Sequence, residues 1–233
     1  GEYYLTDIVE RFNAGGHRVQ AFSIADAHQI LGINHRVELA EADRILRERK
    51  ARELMLSGVT IEQPETVAID VDVKIGMDTV VQPFCRISGA TEIGEDCAIG
   101  MGSIIENSRL GDGVQVLPYS LINRTVVEAE AHIGPFSRLR LDNHVEAGAH
   151  IGNFVELKKT RFGAGAKAMH LAYLGDSQIG SRVNIGAGTI TCNYDGRKKH
   201  PTHIGDDAFV GSNSTIVAPA EIGEGAYIGA GSV

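Results

Sequence analysis

Arg140 and Lys158 stand eighteen residues apart, and each directly follows an aliphatic residue, Leu139 and Leu157. If eighteen residues make one turn of a solenoid, the two cations stack on one face with backbones only about 5 Å apart. They would then repel by on the order of a few kcal/mol at a surface-like dielectric, unless an anion lies between them or their side chains diverge. A phosphate would relieve that repulsion and accept both sets of hydrogen bonds; two solvated, diverging cations are the plainer alternative. His170 is a second candidate, because an imidazole titrating near neutrality can take a proton from a nucleophile. Counted by the same turns, Ala168, Ile185, Val210 and Ile228 share a face, and two residues after each come His170, Ala187, Ser212 and Ala230. One histidine in line with three small residues leaves a groove for a narrow ligand, although small residues also simply suit tight coils. His132, His144 and His150 each precede an aliphatic residue, and His132 and His150 are again eighteen apart. Two of them should stack, which keeps a zinc site open beside the ordinary reading of solvated imidazoles.

The turns are inferred from an internal period. Aliphatic residues recur every sixth position through Ile69, Ile75, Val81, Ile87, Ile93 and Ile99, and again through Ile204, Val210, Ile216, Ile222 and Ile228. The fourth residue after each is usually small: Thr79, Cys85, Thr91, Cys97 and Ser103, then Ala208, Ser214, Ala220, Ala226 and Ser232. A period of six matches neither an amphipathic helix nor an alternating strand. It fits a parallel β-helix in which one large and one small side chain of each hexad fill the interior. Between the clean runs the frame continues with occasional five-residue steps, until a thirteen-residue step from Thr191 to Ile204 demands an excursion from the coil within Cys192 to His203.

The chain has 233 residues, a net charge of −8 and no tryptophan. That composition suits an elongated domain with a small N-terminal appendage, and the acidic balance argues against a nucleic-acid partner. No apolar run is long enough for a membrane span, no signal-peptide core opens the sequence, and a cytoplasmic location is expected. Three cysteines do not make a disulfide framework; Cys85 and Cys97 fall in the small interior slot and read as core. Residues 1–57 do not follow the repeat. Glu2 to Phe12 predicts a short helix with a Thr6-Asp7 capping signal and a Gly15-Gly16 stop, His17 to Ser23 a strand, and Val37 to Leu56 a charged, solvated helix ended by Gly58. These pieces bury too little to form a core alone, and the final hexad leaves an open edge, so the natural chain is expected to continue beyond both ends.

Longer motifs carry a resemblance: GINHR at 32–36, GPFSRLR at 134–140, GNFVELKK at 152–159, HLAYLGD at 170–176 and NIGAGTITCNYDG at 184–196. They resemble the bacterial bifunctional UDP-N-acetylglucosamine pyrophosphorylase/glucosamine-1-phosphate N-acetyltransferase family. The resemblance implies a left-handed parallel β-helix built from hexapeptide repeats and assembled as a homotrimer. It divides the chain into residues 1–36, the end of a nucleotidyltransferase domain; 37–57, a linker helix; and 58–233, an acetyltransferase domain cut short at its C-terminus. The implied reaction joins the acetyl group of acetyl-CoA to glucosamine-1-phosphate. The intact parent would also make UDP-N-acetylglucosamine from UTP, for peptidoglycan and lipid A.

By matched motif, His170 would be the general base, and Arg140, Lys158, Tyr173 and Asn184 would hold the sugar phosphate, with Lys199 and Glu156 lining or orienting the site. Ala187, Asn193, Tyr194, Ser212 and Ala230 would contact acetyl-CoA, the small-residue groove taking its pantetheine arm. Asn34 matches a magnesium and UDP-sugar contact of the first domain. The sequence departs from the family in having Leu141 where proline often follows the second arginine of RLR, and in lacking both the glycine-rich nucleotide loop and the C-terminal tail that supplies an arginine to CoA. Uridylyl transfer by this chain alone is therefore not expected. A hexapeptide-type zinc hydratase and a non-catalytic trimerising or regulatory β-helix stand as alternatives.

Overall fold

The computed structural model describes residues 4–233. By its internal contacts the chain divides into two units, Gly1–Ile45 and Leu46–Val233. In the first, helix α1 runs Asp7–Ala14 and closes at Gly15. Thr6 makes no side-chain cap, so the expected capping signal works differently: the Asp7 carboxylate accepts the backbone N–H of Tyr4 at 3.3 Å. Glu2 and Tyr3, where the helix was expected to begin, lie outside the described residues. The strand expected over His17 to Ser23 does not form; those residues are exposed and irregular. Its apolar alternation finds no partner strand among the described residues, and propensity alone does not hold an isolated strand. Helix α2 runs Arg36–Leu56, one residue longer at its start than expected, and crosses the division between the units. Glu38 fixes that start by accepting the backbone N–H groups of Asn34 at 2.7 Å and His35 at 3.2 Å.

The second unit is the expected parallel β-helix. Its short strands stack into three parallel sheets of ten, nine and nine strands, and each turn visits the three faces in order. The register follows the six-residue period: Ile133 pairs with Ile151, Leu139 with Leu157, and Val210 with Ile228. The repeated aliphatics point inward, with Ile87, Ile99, Ile105, Ile122, Ile133, Leu139, Ile151, Leu157 and Leu174 at most 1% exposed. Each such side chain contributes roughly 1.5–3 kcal/mol by leaving water. Cys85 and Cys97 occupy the small slots; burial pushes both thiols up, and they donate to the carbonyls of Gly100 and Gly111.

One interior corner is polar. The Thr91 Oγ1 accepts the N–H of Ser108, the Ser108 Oγ that of Thr125, the Thr125 Oγ1 the Asn143 side-chain amide, the Asn143 Oδ1 the N–H of Thr160, and the Thr160 Oγ1 that of Ser177. This ladder satisfies backbone donors that the corner would otherwise bury unpaired. The excursion from the coil falls between the strands Ile190–Cys192 and Thr202–Ile204, narrowing the expected limits by a residue or two.

Thr160→Val, nearly isosteric, should cost about 1–3 kcal/mol by leaving the Ser177 N–H unpaired, against about 3–5 kcal/mol for Phe162→Ala in the apolar interior. Urea denaturation of both variants checks the comparison, and a Thr160→Val midpoint equal to wild type would show that the ladder carries no stability.

Candidate active site

The register places Arg140 directly beside Lys158 on the second face, as their spacing predicts. Their side chains diverge, each toward its own carboxylate. Arg140 Nε donates to Glu156 Oε1 at 2.6 Å, and Lys158 Nζ donates to Asp176 Oδ2 at 2.9 Å. Glu156 stands beside Arg138 in the ladder and lies 4.0 Å from its guanidinium as well. Asp176 occupies the left-handed corner after the strand Tyr173–Gly175, and its carboxylate also accepts the Asn193 amide. Above Lys158 lies Gly175. A Cβ there would collide with the Tyr173 hydroxyl and come within 2.7 Å of Asn193 Nδ2, so only glycine lets these two side chains converge over the lysine.

The loop after Cys192 completes this cluster. Asp195 shapes it: Oδ1 accepts the N–H groups of Arg197 and Lys198, each at 2.8 Å, and Oδ2 meets His200 Nε2 at 2.7 Å. The Lys198 N–H, the His200 ring and the Arg197 N–H hold the Asp195 carboxyl down at about 2. The turn presents Lys199 to Lys158. Burial pushes the Lys158 ammonium down, but the adjoining Lys199 side chain, the hydrogen bond to Asp176 and the charge of Asp176 outweigh that, leaving it above the ordinary lysine value. Lys199 shows the counterpart: the close approach of the Lys158 ammonium, its charge and desolvation lower it. Burial raises Asp176, but the Lys158 and Asn193 hydrogen bonds and the Lys158 charge outweigh it, so its pKa stands below the carboxylate range. Arg140, Lys158 and Lys199, with Arg138 at the edge, face two carboxylates, a net positive site that an added anion would relieve. A cleft of about 470 Å³, lined in part by Lys159, Asp176, Lys199 and His200, opens beside it. A larger groove of about 620 Å³ on the third face is edged by Glu146, Asp206, Glu221 and Glu224, a poor lining for a phosphate.

His170 ends the strand Lys167–His170 at the corner between the first and second faces. It is exposed, and its Nδ1 lies 2.8 Å from Asn153 Oδ1. Ala187, Ser212 and Ala230 follow in the same column, since Ala168 pairs with Ile185, Ile185 with Val210, and Val210 with Ile228. Backbone bonds from Asn213 N–H to Ala187 and from Gly231 N–H to Ser212 stitch the successive turns at that corner. Only the strand Tyr173–Gly175, about 10 Å of backbone, separates the histidine corner from the cation cluster.

The other predicted residues divide. Glu156, Tyr173 and Lys199 join the cation cluster, and so does Asn193, which the resemblance had set beside the cofactor. Tyr194 is exposed on the loop, its hydroxyl donating to the Gly196 carbonyl at 2.8 Å. Asn184 stands apart on the first face, between Lys167 and Phe209. Asn34 lies in the N-terminal unit and offers an amide; no group of three His, Cys, Asp or Glu able to hold a metal occurs among the described residues, so Asn34 does not make a magnesium site with them. His132 and His150 do stack, ring centroids 4.6 Å apart. His144 is on the third face instead, its Nε2 2.6 Å from Glu128 Oε1, so the three imidazoles do not converge within the chain. Asp176 and Asn153 were missed.

The bacterial transferase hexapeptide (six repeats) family matches residues 72–107 and 201–233. The chain is 60% identical to the bifunctional protein GlmU of Solibacter usitatus over 222 residues, 95% of this chain and 48% of that protein. It is 52% identical to the bifunctional protein GlmU of Fervidobacterium nodosum over 233 residues, 100% of this chain and 50% of that protein. The chain spans about half the length of the curated relatives it matches. Among solved structures, a UDP-N-acetylglucosamine acyltransferase from Campylobacter jejuni has a TM-score of 0.46 at 16% identity, covering 67% of this chain and 66% of that one, a likeness too loose to bear on the site. No helix among the described residues is long and apolar enough to cross a membrane.

The Lys158–Asp176 pair makes a stability prediction, because the two side chains are only 8% and 14% exposed. Lys158→Met strands a buried carboxylate and should cost about 3–5 kcal/mol at neutral pH, much of it recovered when Asp176→Asn is added. Asp176, with a depressed pKa, contributes above the unfolded carboxyl pKa and loses that contribution as pH falls through its folded value. Lys158, with a raised pKa, contributes below the unfolded lysine pKa and loses it as pH rises through its folded value. Denaturant midpoints of wild type against the double variant should therefore differ by a constant amount near neutrality and converge at both extremes.

Proposed function

We propose, from the premise that the chain is homologous to the bifunctional GlmU proteins over about half of their length, that it transfers the acetyl group of acetyl-CoA to the amine of glucosamine-1-phosphate. The observation that carries the reading is the cation cluster of Arg140, Lys158 and Lys199 one strand away from a histidine at the foot of a small-residue column. The cluster offers charge-assisted donors for the 1-phosphate, with Tyr173 and Asn193 above it. The column of Ala187, Ser212 and Ala230 admits the pantetheine arm and aims its thioester at His170.

In this mechanism the neutral amine attacks the thioester carbonyl, forming the C–N bond while the His170 ring takes the amine proton. Collapse of the tetrahedral intermediate breaks the C–S bond, and the imidazolium returns the proton to the leaving thiolate. No covalent intermediate on the protein is needed. Residues 58–233 constitute the acetyltransferase domain in this reading, α2 the linker, and residues 1–36 the end of a pyrophosphorylase domain in which Asn34, with partners from outside this chain, would serve magnesium and UTP-dependent chemistry. A cytoplasmic homotrimer is the expected form. An exposed corner column, Tyr119, Phe136 and Phe154, supports the assembly: the rings stack at 5.3 and 5.5 Å and present an apolar edge that a second copy would cover.

Kinetics of thiol release test the reaction, with glucosamine-1-phosphate compared against glucosamine and serine as acceptors. His170→Ala should lower kcat by about 10²- to 10⁴-fold with KM little changed. Turnover near wild type in that variant would favour a different base or a non-catalytic module. Arg140→Ala should weaken glucosamine-1-phosphate by about 1.5–3 kcal/mol, seen in KM, and leave glucosamine unaffected. Equal losses with both acceptors would remove the phosphate from the cluster. Arg140 is the cleaner target, since Lys158 also carries a buried pair.

The depressed Lys199 adds a pH dependence. Its protonated form binds phosphate, so KM for glucosamine-1-phosphate should rise with pH earlier than an ordinary lysine would allow, and Lys199→Gln should remove that rise. A KM profile identical in the variant would exclude Lys199 from phosphate binding.

A further inference from the structure

We propose that Asn153 is the positioning residue for His170, its side-chain carbonyl holding the imidazole in the tautomer that leaves Nε2 as the base. The inference rests on the reading of His170 as general base given above. An amide oxygen can only accept, so with Asn153 Oδ1 at 2.8 Å the proton of the neutral ring sits on Nδ1. The lone pair at Nε2 is then free, pointing away from the residue that orients the ring.

Asn153 is held on both sides. It ends the strand His150–Asn153 in register with His170, and its backbone carbonyl accepts the N–H of Leu171 at 3.1 Å. One residue thus binds both the ring and the main chain beside it. The preceding Gly152 lies so close to the next turn that a Cβ would collide with the Met169 carbonyl. Ser137 Oγ donates to the Gly152 carbonyl at 2.6 Å from the turn on the other side. Glu156, which the resemblance suggested for an orienting role, is bound to Arg140 at 2.6 Å. Lys167 at the far end of the histidine's own strand and His150 at the far end of the Asn153 strand are the titratable neighbours on those strands; Asn184–Ile185, packed on the other side, brings none.

The choice of an amide has a chemical reason. After taking the amine proton, the imidazolium must surrender it to the departing thiolate. A carboxylate partner would stabilise the imidazolium and hold that proton; an amide fixes the ring without doing so.

The test combines spectroscopy with kinetics on the full chain. In ¹⁵N-resolved spectra of the imidazole nitrogens, neutral His170 should carry its proton on Nδ1 in the wild type and revert to the Nε2–H form in Asn153→Ala. That variant should lose about 10- to 100-fold in kcat with KM for both substrates little changed. Asn153→Asp should keep the tautomer and move the acidic limb of the kcat profile to higher pH by about one unit or more. A purely structural asparagine would move neither the tautomer nor the limb. Nε2–H in the wild type, or an unmoved acidic limb in Asn153→Asp, overturns the proposal, and the aspartate variant decides it if the alanine variant fails to fold. His170→Ala, assayed in parallel, separates the two ideas: near-normal turnover there removes the base itself, whereas the nitrogen spectra judge the hydrogen bond independently.

Discussion

The backbone ladder between successive turns is the constraint on which everything else depends. It fixes neighbours at one strand spacing, about 4.8 Å, and so converts distances of seventeen or eighteen residues in sequence into contacts. Arg140 meets Lys158, and Asn153 meets His170, only because the interior aliphatics keep each turn in register. The polar corner from Thr91 to Ser177 serves the same end, since each side-chain oxygen ties down the next turn with a bond that has a single register. A slip by one residue would turn the aliphatics outward and separate every pair in the site at once.

The cation cluster shows how such a scaffold holds charge before a ligand arrives. Stacked cations are costly, and Glu156 and Asp176 offset that cost in the free protein. The same carboxylates compete with any incoming phosphate, so intrinsic affinity is given up for a preformed geometry. Lys199 is where the imbalance shows: with Glu156 and Asp176 already engaged by Arg138, Arg140 and Lys158, the more exposed ammonium gives ground. An anion that restores it would be selected for its charge as well as its shape.

How much of this was legible in the sequence follows from the same ladder. The fold could be read because the period is written in the largest side chains, and the pairs Arg140–Lys158 and His132–His150 could be counted directly because their turns hold eighteen residues. Asn153 was hidden because its turn is one residue short: counting eighteen back from His170 lands on Gly152, whereas the ladder pairs His170 with Asn153. Asp176, by contrast, stands eighteen residues after Lys158 and was open to the same count; the ladder itself puts Gly175 above Lys158, and the carboxylate reaches in from the corner one residue later. Asn193 belongs to a loop with no period to count. The strand expected over His17 to Ser23 failed for the opposite reason, a local pattern with no ladder to join.

The excursion from the coil is where regularity is given up for chemistry. The interior ladder runs unbroken to Ser177 and stops at the next turn, where the Thr202 hydroxyl is buried without a partner, alone in this among the buried side-chain polar atoms of the described residues. In the earlier turns the corresponding hydroxyls of Ser108, Thr125, Thr160 and Ser177 donate to the carbonyl two residues back. At Thr202 that carbonyl belongs to His200, which the Asp195 turn has drawn into the loop, its N–H bonded to Asn193. Leaving such a hydroxyl unpaired costs about 1–3 kcal/mol. What the same turn delivers is Lys199 and Asn193 to the cation cluster, groups that no uninterrupted hexad could place there, because its side chains must either fill the interior or stand outward in line. The locally unfavourable step therefore falls at the one turn whose distortion builds the site.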